Sequence, residues 1–146
     1  MGAPRATSEQ RRILIVDNHP LIRRGLISLL DDAPDLTVCA TATTNQEGFE
    51  SIARCKPDLV IAELSNQNAD ELSLVKKIRL HYPNLPILVF SMHSTAEMIR
   101  RAINAGANDY ISKREFGETL LSALRQLLNG KNDLNSKSGN GPEAEK

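Results

Sequence analysis

Apolar and polar positions follow one another along this chain in blocks of two kinds. Short continuous apolar runs, Ile13-Leu14-Ile15-Val16 stopping at Asp17, Leu59 to Glu63, and Ile87 to Ser91, have the length and two-sided hydrophobicity of fully buried strands. Leu36 to Thr41 and Asn108 to Ser112 predict two further strands. Between them lie stretches with helical spacing. His19 to Asp31 carries Leu21, Ile22, Leu26, Leu29 and Leu30, with Pro20 where a first turn tolerates it. Asn45 to Cys55 turns Phe49, Ile52 and Ala53 inward, and Asp70 is placed to cap a helix bearing Leu74, Val75, Ile78 and Tyr82. Pro83 and Pro86 end that helix and frame the next strand. Thr95 opens a helix with Met98, Ile99, Ala102 and Ile103 that closes at Gly106, and Glu115 to Asn129 forms the last. Five strand–helix repeats with strands apolar on both faces predict a parallel α/β sheet covered on both sides by crossover helices. Residues 1–11 read as a disordered leader and 12–129 as the domain. Residues 130–146, with Leu134 their one large apolar side chain, read as a flexible tail or a truncated linker.

Composition narrows the function. Lys+Arg and Asp+Glu are equal at 18 each, so no net charge points to nucleic acid, and aromatic residues at 3% leave no stacking surface for single strands. No apolar run approaches the roughly 18 residues of a membrane span, and the N-terminus lacks the apolar core of a secretion signal, so a cytoplasmic location is expected. Cys39 and Cys55 lie outside any metal-ligand or C-x-x-C spacing and read as half-buried free thiols in a reducing compartment.

Open parallel sheets bind ligands beyond the carboxyl ends of their strands, where the strand order switches. The first strand delivers Asp17 and Asn18 there, the third Glu63, the fourth Ser91, and the fifth leads to Lys113. Two carboxylates, an amide, a hydroxyl and an ammonium suit a hydrated divalent cation and a phosphoryl group.

The stretches ILIVDNHPLIRRGLISLL (13–30), KPDLVIAEL (56–64), PILVFSMHS (86–94) and AGANDYISK (105–113) occur in order across 13–129. In this the chain resembles the receiver domain of two-component response regulators, in the LuxR/NarL/FixJ-type branch that carries a C-terminal helix-turn-helix. The resemblance implies a flavodoxin-like (βα)5 doubly wound sheet with strand order 2-1-3-4-5. It also places Ser91 at the family's hydroxyl position, Tyr110 at its switch aromatic and Lys113 at its lysine. In the family the acid ending the third strand is an Asp that accepts a phosphoryl group from a histidine kinase, and an acidic pair ending the first strand binds magnesium. Here those positions hold Glu63 and the pair Asp17-Asn18, and Ser65-Asn66-Gln67-Asn68 replaces the family's Met-Pro-Gly-like turn.

These departures fall on the reaction. Glu carries its carboxylate roughly 1 Å further out than Asp. In-line transfer is sensitive to misplacement of that size, at a cost on the order of 100-fold. Asn18 puts a neutral oxygen where an anionic one faces the metal, so magnesium is expected to bind weakly at most, through Asp17 and Glu63 if at all. The longer acid is within reach of Lys113. The sequence therefore predicts a pseudo-receiver that is not an enzyme. It would act independently of phosphorylation through protein contacts with a histidine kinase, a regulator or an output domain, and as a homodimer, with no direct contact to nucleic acid or membrane. The alternative is a phosphorylatable receiver of a LuxR-type DNA-binding regulator whose helix-turn-helix lies outside this chain. His19 and His93 lie near the crevice, and both are expected to be background, as in family members that carry His without catalytic use.

Overall fold

The apolar runs become the strands of one parallel sheet, and the amphipathic stretches become the helices that cover it. The structure is a computed structural model, and it describes residues 10–64, 72–92 and 94–130. In chain order these form β1 (Arg11–Val16), α1 (Pro20–Asp31), β2 (Leu36–Ala42), α2 (Asn45–Cys55), β3 (Leu59–Leu64), α3 (Ser73–His81), β4 (Ile87–Ser91), α4 (Ala96–Ala105), β5 (Asp109–Ser112), a 3-10 turn (Lys113–Glu115) and α5 (Glu118–Leu128). The sheet order is β2-β1-β3-β4-β5, all parallel, as expected for a doubly wound (βα)5 fold. Residues 1–9, residues 65–71 with Asp70, His93 and residues 131–146, and with them the expected leader, cap and tail, lie outside the described residues.

Each strand feeds two cores because successive side chains point to opposite faces. Ile13 and Ile15 of β1, with Leu59 and Ile61 of β3, pack under α1 and α5 against Leu26, Leu30, Leu120 and Leu124. Leu14 and Val16, with Val60 and Ala62, face α2, α3 and α4 and meet Ile52, Val75, Ile78 and Ala102. Two glycines mark close approaches. A Cβ on Gly48 would lie 2.7 Å from Val16 Cγ2, so α2 can press on β1 only without one. Gly106 closes α4 at φ 126, and its missing Cβ leaves room for the Arg79 side chain, whose guanidinium donates to Gly106 O and to Asn108 Oδ1.

Several boundaries differ from the sequence reading. Glu63 is not the tip of β3: the strand runs on to Leu64, and Glu63 pairs with Phe90 of β4. β5 starts at Asp109 rather than Asn108, because the Asn108 side chain is used as an acceptor for Ile87 N and Arg79. Helix α5 starts at Glu118. Residues 113–115 form a separate 3-10 turn, begun by Ser112 Oγ accepting from Arg114 N, and Gly117 at φ 97 then redirects the chain. Thr95 caps α4 as expected, its Oγ1 accepting from Met98 N at 3.2 Å.

Candidate functional site

After β1 the chain goes to β2 on one side, and it returns to place β3 on the other, so the order switches between β1 and β3. Their carboxyl ends face one crevice there. Asp17 is the first residue beyond β1. Its N–H donates to Ala42 O at the end of β2, and its carbonyl accepts from Arg23 Nη1 in α1, both at 2.9 Å. The backbone is thus fixed on both sides and the carboxylate is held inward, with the side chain 1% exposed.

Lys113 reaches the same point from β5. The 3-10 turn starts on it, and its ammonium is buried, 3.2 Å from Asp17 Oδ2 and 3.6 Å from Glu63 Oε2. Asp17 Oδ2 is buried and takes no well-aligned hydrogen bond, so the ammonium is the charge that compensates it. The longer contact to Glu63 is an ion pair beyond ordinary hydrogen-bond length. Burial raises the Glu63 carboxyl above the usual range. The Lys113 charge opposes that rise and the Asp17 charge reinforces it.

His19 completes the group. Its N–H donates to Asp17 Oδ1 at 2.9 Å, and its ring Nδ1 lies 3.0 Å from the same oxygen, 3.5 Å from Glu63 Oε2 and 3.3 Å from Lys113 Nζ. Nδ1 therefore lies against both carboxylates and the ammonium at once, and its donor or acceptor role follows the tautomer of the ring. The structure thus places His19 against every charged member of the cluster, a contact that the sequence reading did not include. The signal was present in the spacing Asp17-Asn18-His19-Pro20. Pro20 begins α1 and leaves His19 as its N-cap residue, in an extended conformation two positions from the acid. Asp17 supplies no side-chain cap to α1; its carboxylate takes the His19 N–H instead.

The other predicted residues take different places. Ser91 ends β4 fully buried, in register with Leu64 on one side and Ser112 on the other. Tyr110 is buried in β5 beside Val89, within the core under α2, α3 and α4. Asn18 is exposed. The substituted turn at 65–68 and His93 fall outside the described residues. Among the described residues, one donor atom each from Asp17, His19 and Glu63 lies within 4.8 Å of the others, and these are the groups able to hold a cation. A cation entering there competes with the Lys113 ammonium for both carboxylates. Magnesium prefers an all-oxygen octahedron, which an imidazole donor fits poorly.

The model of one protein family, the response regulator receiver domain, matches residues 13–125. The nitrate/nitrite response regulator protein NarL of Escherichia coli is 33% identical over 125 residues, covering 86% of this chain and 58% of NarL. The transcriptional activator protein ExaE of Pseudomonas putida is 31% identical over 118 residues, covering 81% and 55%. The chain thus spans just over half the length of these curated relatives. Among solved structures, a LuxR-family two-component response regulator from Aurantimonas superposes with a TM-score of 0.78 at 29% identity, covering 84% of this chain and 87% of that one. The response regulator domain of Thermotoga maritima CheB gives 0.73 at 26%, covering 82% and 97%.

Proposed function

The chain belongs to the response regulator receiver family, and from that premise we propose that it is a pseudo-receiver: a two-component signalling module that acts through protein contacts and does not depend on phosphoryl transfer at residue 63. The observation that carries this reading is the position of the Lys113 ammonium, between Asp17 Oδ2 at 3.2 Å and Glu63 Oε2 at 3.6 Å. The lysine that would steady a transferred phosphoryl group is already paired with the acid that would receive it. Burial also shifts Glu63 toward its protonated form, and a protonated carboxyl is a poor nucleophile.

Asn18 and Glu63 both weaken magnesium binding on this reading, and without the metal the charge developing on a transferred phosphoryl group is not neutralised. The module then passes on its signal by which surface it presents. Its partners are a histidine kinase, a regulator or an output domain, with a second copy of the chain as the homodimer partner. No described helix is long and apolar enough to cross a membrane, and the place of action on this reading is the cytoplasm.

The decisive experiment is incubation with acetyl phosphate and magnesium, read by intact mass and by amide spectra. Unmodified protein with no magnesium-dependent shifts at residues 63, 91 and 110 is the expected result. Stoichiometric, base-labile phosphorylation at residue 63 would overturn the reading. The second reading is a phosphorylatable receiver within a LuxR-type DNA-binding regulator. It is favoured by the share of NarL and ExaE that this chain covers and by ExaE's description as a transcriptional activator. The same labelling experiment separates the two.

A further inference from the structure

The two cysteines take no part in the charged site, yet the fold brings them together. Cys39 lies in β2 and Cys55 is the last residue of α2. Their thiols are free, and their Sγ atoms are 2.6 Å apart. Nonbonded carbon atoms rest about 3.5–4.0 Å apart. A disulfide needs roughly 2.0 Å, so the sulfurs stand about half an ångström from bonding distance.

Two local irregularities aim them at each other. The β1–β2 register passes from Ile13 opposite Val38 to Leu14 opposite Ala40, so Cys39 is the extra residue of a bulge. A regular strand would send residues 39 and 40 to opposite faces. Here both pack on the α2 side, while Val38 packs on the other. On the helix side, Lys56 adopts a left-handed φ of 50, and it is the sole non-glycine with positive φ among the described residues. The turn it makes ends α2 at Cys55, and Arg12 Nε clamps the Cys55 carbonyl to β1 at 2.9 Å. Both cysteines are half-buried, so a small reagent has access while the pair stays fixed.

We propose that Cys39 and Cys55 are a modification site that closes into a reversible intramolecular disulfide by exchange with a small-molecule disulfide of the glutathione class, stapling the edge strand β2 to α2. The Cys55 thiolate attacks one sulfur of the oxidised reagent and releases the first glutathione thiolate, which takes up the proton that Cys55 lost. The Cys39 sulfur then attacks Cys55 Sγ, giving its proton to the second departing glutathione. Two protein thiols are oxidised and one glutathione disulfide is reduced to two thiols. Burial, together with the hydrogen bond to Cys55, pushes the Cys39 thiol up to about 12, so the first attack is assigned to Cys55, and Cys39 reacts only in the second step, where the adjacent Sγ offsets its small thiolate fraction. Closure joins residues 16 apart, a loop long enough to constrain the unfolded chain appreciably.

The test equilibrates the whole reduced chain with mixtures of reduced and oxidised glutathione, quenches with acid and reads intact mass and peptide maps after alkylation. The expected result has five parts. Two hydrogens are lost, and a Cys39–Cys55 linked peptide appears. Half-conversion comes in a mixture still rich in reduced glutathione, and dithiothreitol returns the protein fully to thiols. The oxidised protein melts about 5–10 °C higher. Cys39→Ser retains a glutathione adduct on Cys55 instead, which shows that the second step belongs to Cys39. Thiols that stay free in oxidised glutathione alone, or adducts that persist on the unsubstituted protein, would overturn the site. A linked protein with an unchanged or lower melting temperature would overturn the staple.

Discussion

At the carboxyl end of the sheet, Lys113, Asp17 and Glu63 hold their charges with side chains 1%, 1% and 7% exposed. At the opposite end, Arg125 of α5 and Asp35, the residue before β2, pair through two hydrogen bonds of 3.0 Å with side chains 40% and 50% exposed. The outer pair has the better geometry: planar, bidentate and short. The inner group has longer and less well-aligned contacts, and one carboxylate oxygen relies on the ammonium alone. The difference shows that contact length does not rank these interactions. Water can replace either partner of the outer pair, whereas removing a partner inside leaves a charge that nothing else solvates.

Four variants test that contrast. Lys113→Met leaves two carboxylates facing each other in a buried site, and a loss of about 3–5 kcal/mol in urea unfolding at neutral pH is expected. A loss below about 1 kcal/mol would mean that the inner group is as replaceable by water as the outer one. Next in size is the double change Glu63→Asp with Asn18→Asp. It withdraws the acid from Lys113 and restores an anionic oxygen for the metal. Labelling by acetyl phosphate with magnesium should rise on the order of 100-fold, equivalent to about 2.7 kcal/mol in the barrier.

The two ends also differ in how their stability depends on pH. Burial holds Glu63 above the ordinary carboxylate range, whereas the Arg125 hydrogen bond holds Asp35 below it. A raised value means that the folded state holds the proton more tightly. The stability Glu63 supplies is therefore present below its unfolded value and lost as pH rises through its folded value. Asp35 is the reverse: its contribution is present above its unfolded value and lost as pH falls through its folded value. As pH rises above about 4, Glu63→Gln should gain stability relative to the unsubstituted protein, whereas Asp35→Asn should lose it only as pH rises through the range below about 4, as read by denaturant midpoints. Matching slopes would remove the distinction. The smallest effect is the size of the Asp35→Asn change at neutral pH, under about 1 kcal/mol and shrinking further with added salt.

Much of this was legible in the residues. The two-sided apolar runs at 13–16, 59–63 and 87–91 predicted buried parallel strands, and the observed order β2-β1-β3-β4-β5 agrees with the doubly wound arrangement implied by the family resemblance. Asp17, Glu63 and Lys113 were placed at strand ends, and the structure brings their charged atoms into one group. His19 was read as background because family members carry His there without catalytic use. Its role depends on the direction in which Pro20 starts α1. The approach of Cys39 to Cys55 was hidden for a similar reason: 16 residues separate them, and a one-residue bulge decides the face on which Cys39 lands.

The order of hydrophobic and polar residues, acting alone, determined the number of strands and helices, the parallel sheet and the set of residues delivered to its carboxyl end. Those properties follow from side-chain periodicity and burial, which operate over a few residues at a time. Tertiary structure alone decided that the lysine sits between the two acids, that a histidine joins them, and that two distant thiols nearly touch. Each of these turns on a displacement of an ångström or so, set by how the helices press on the sheet, and no local pattern encodes a distance of that size.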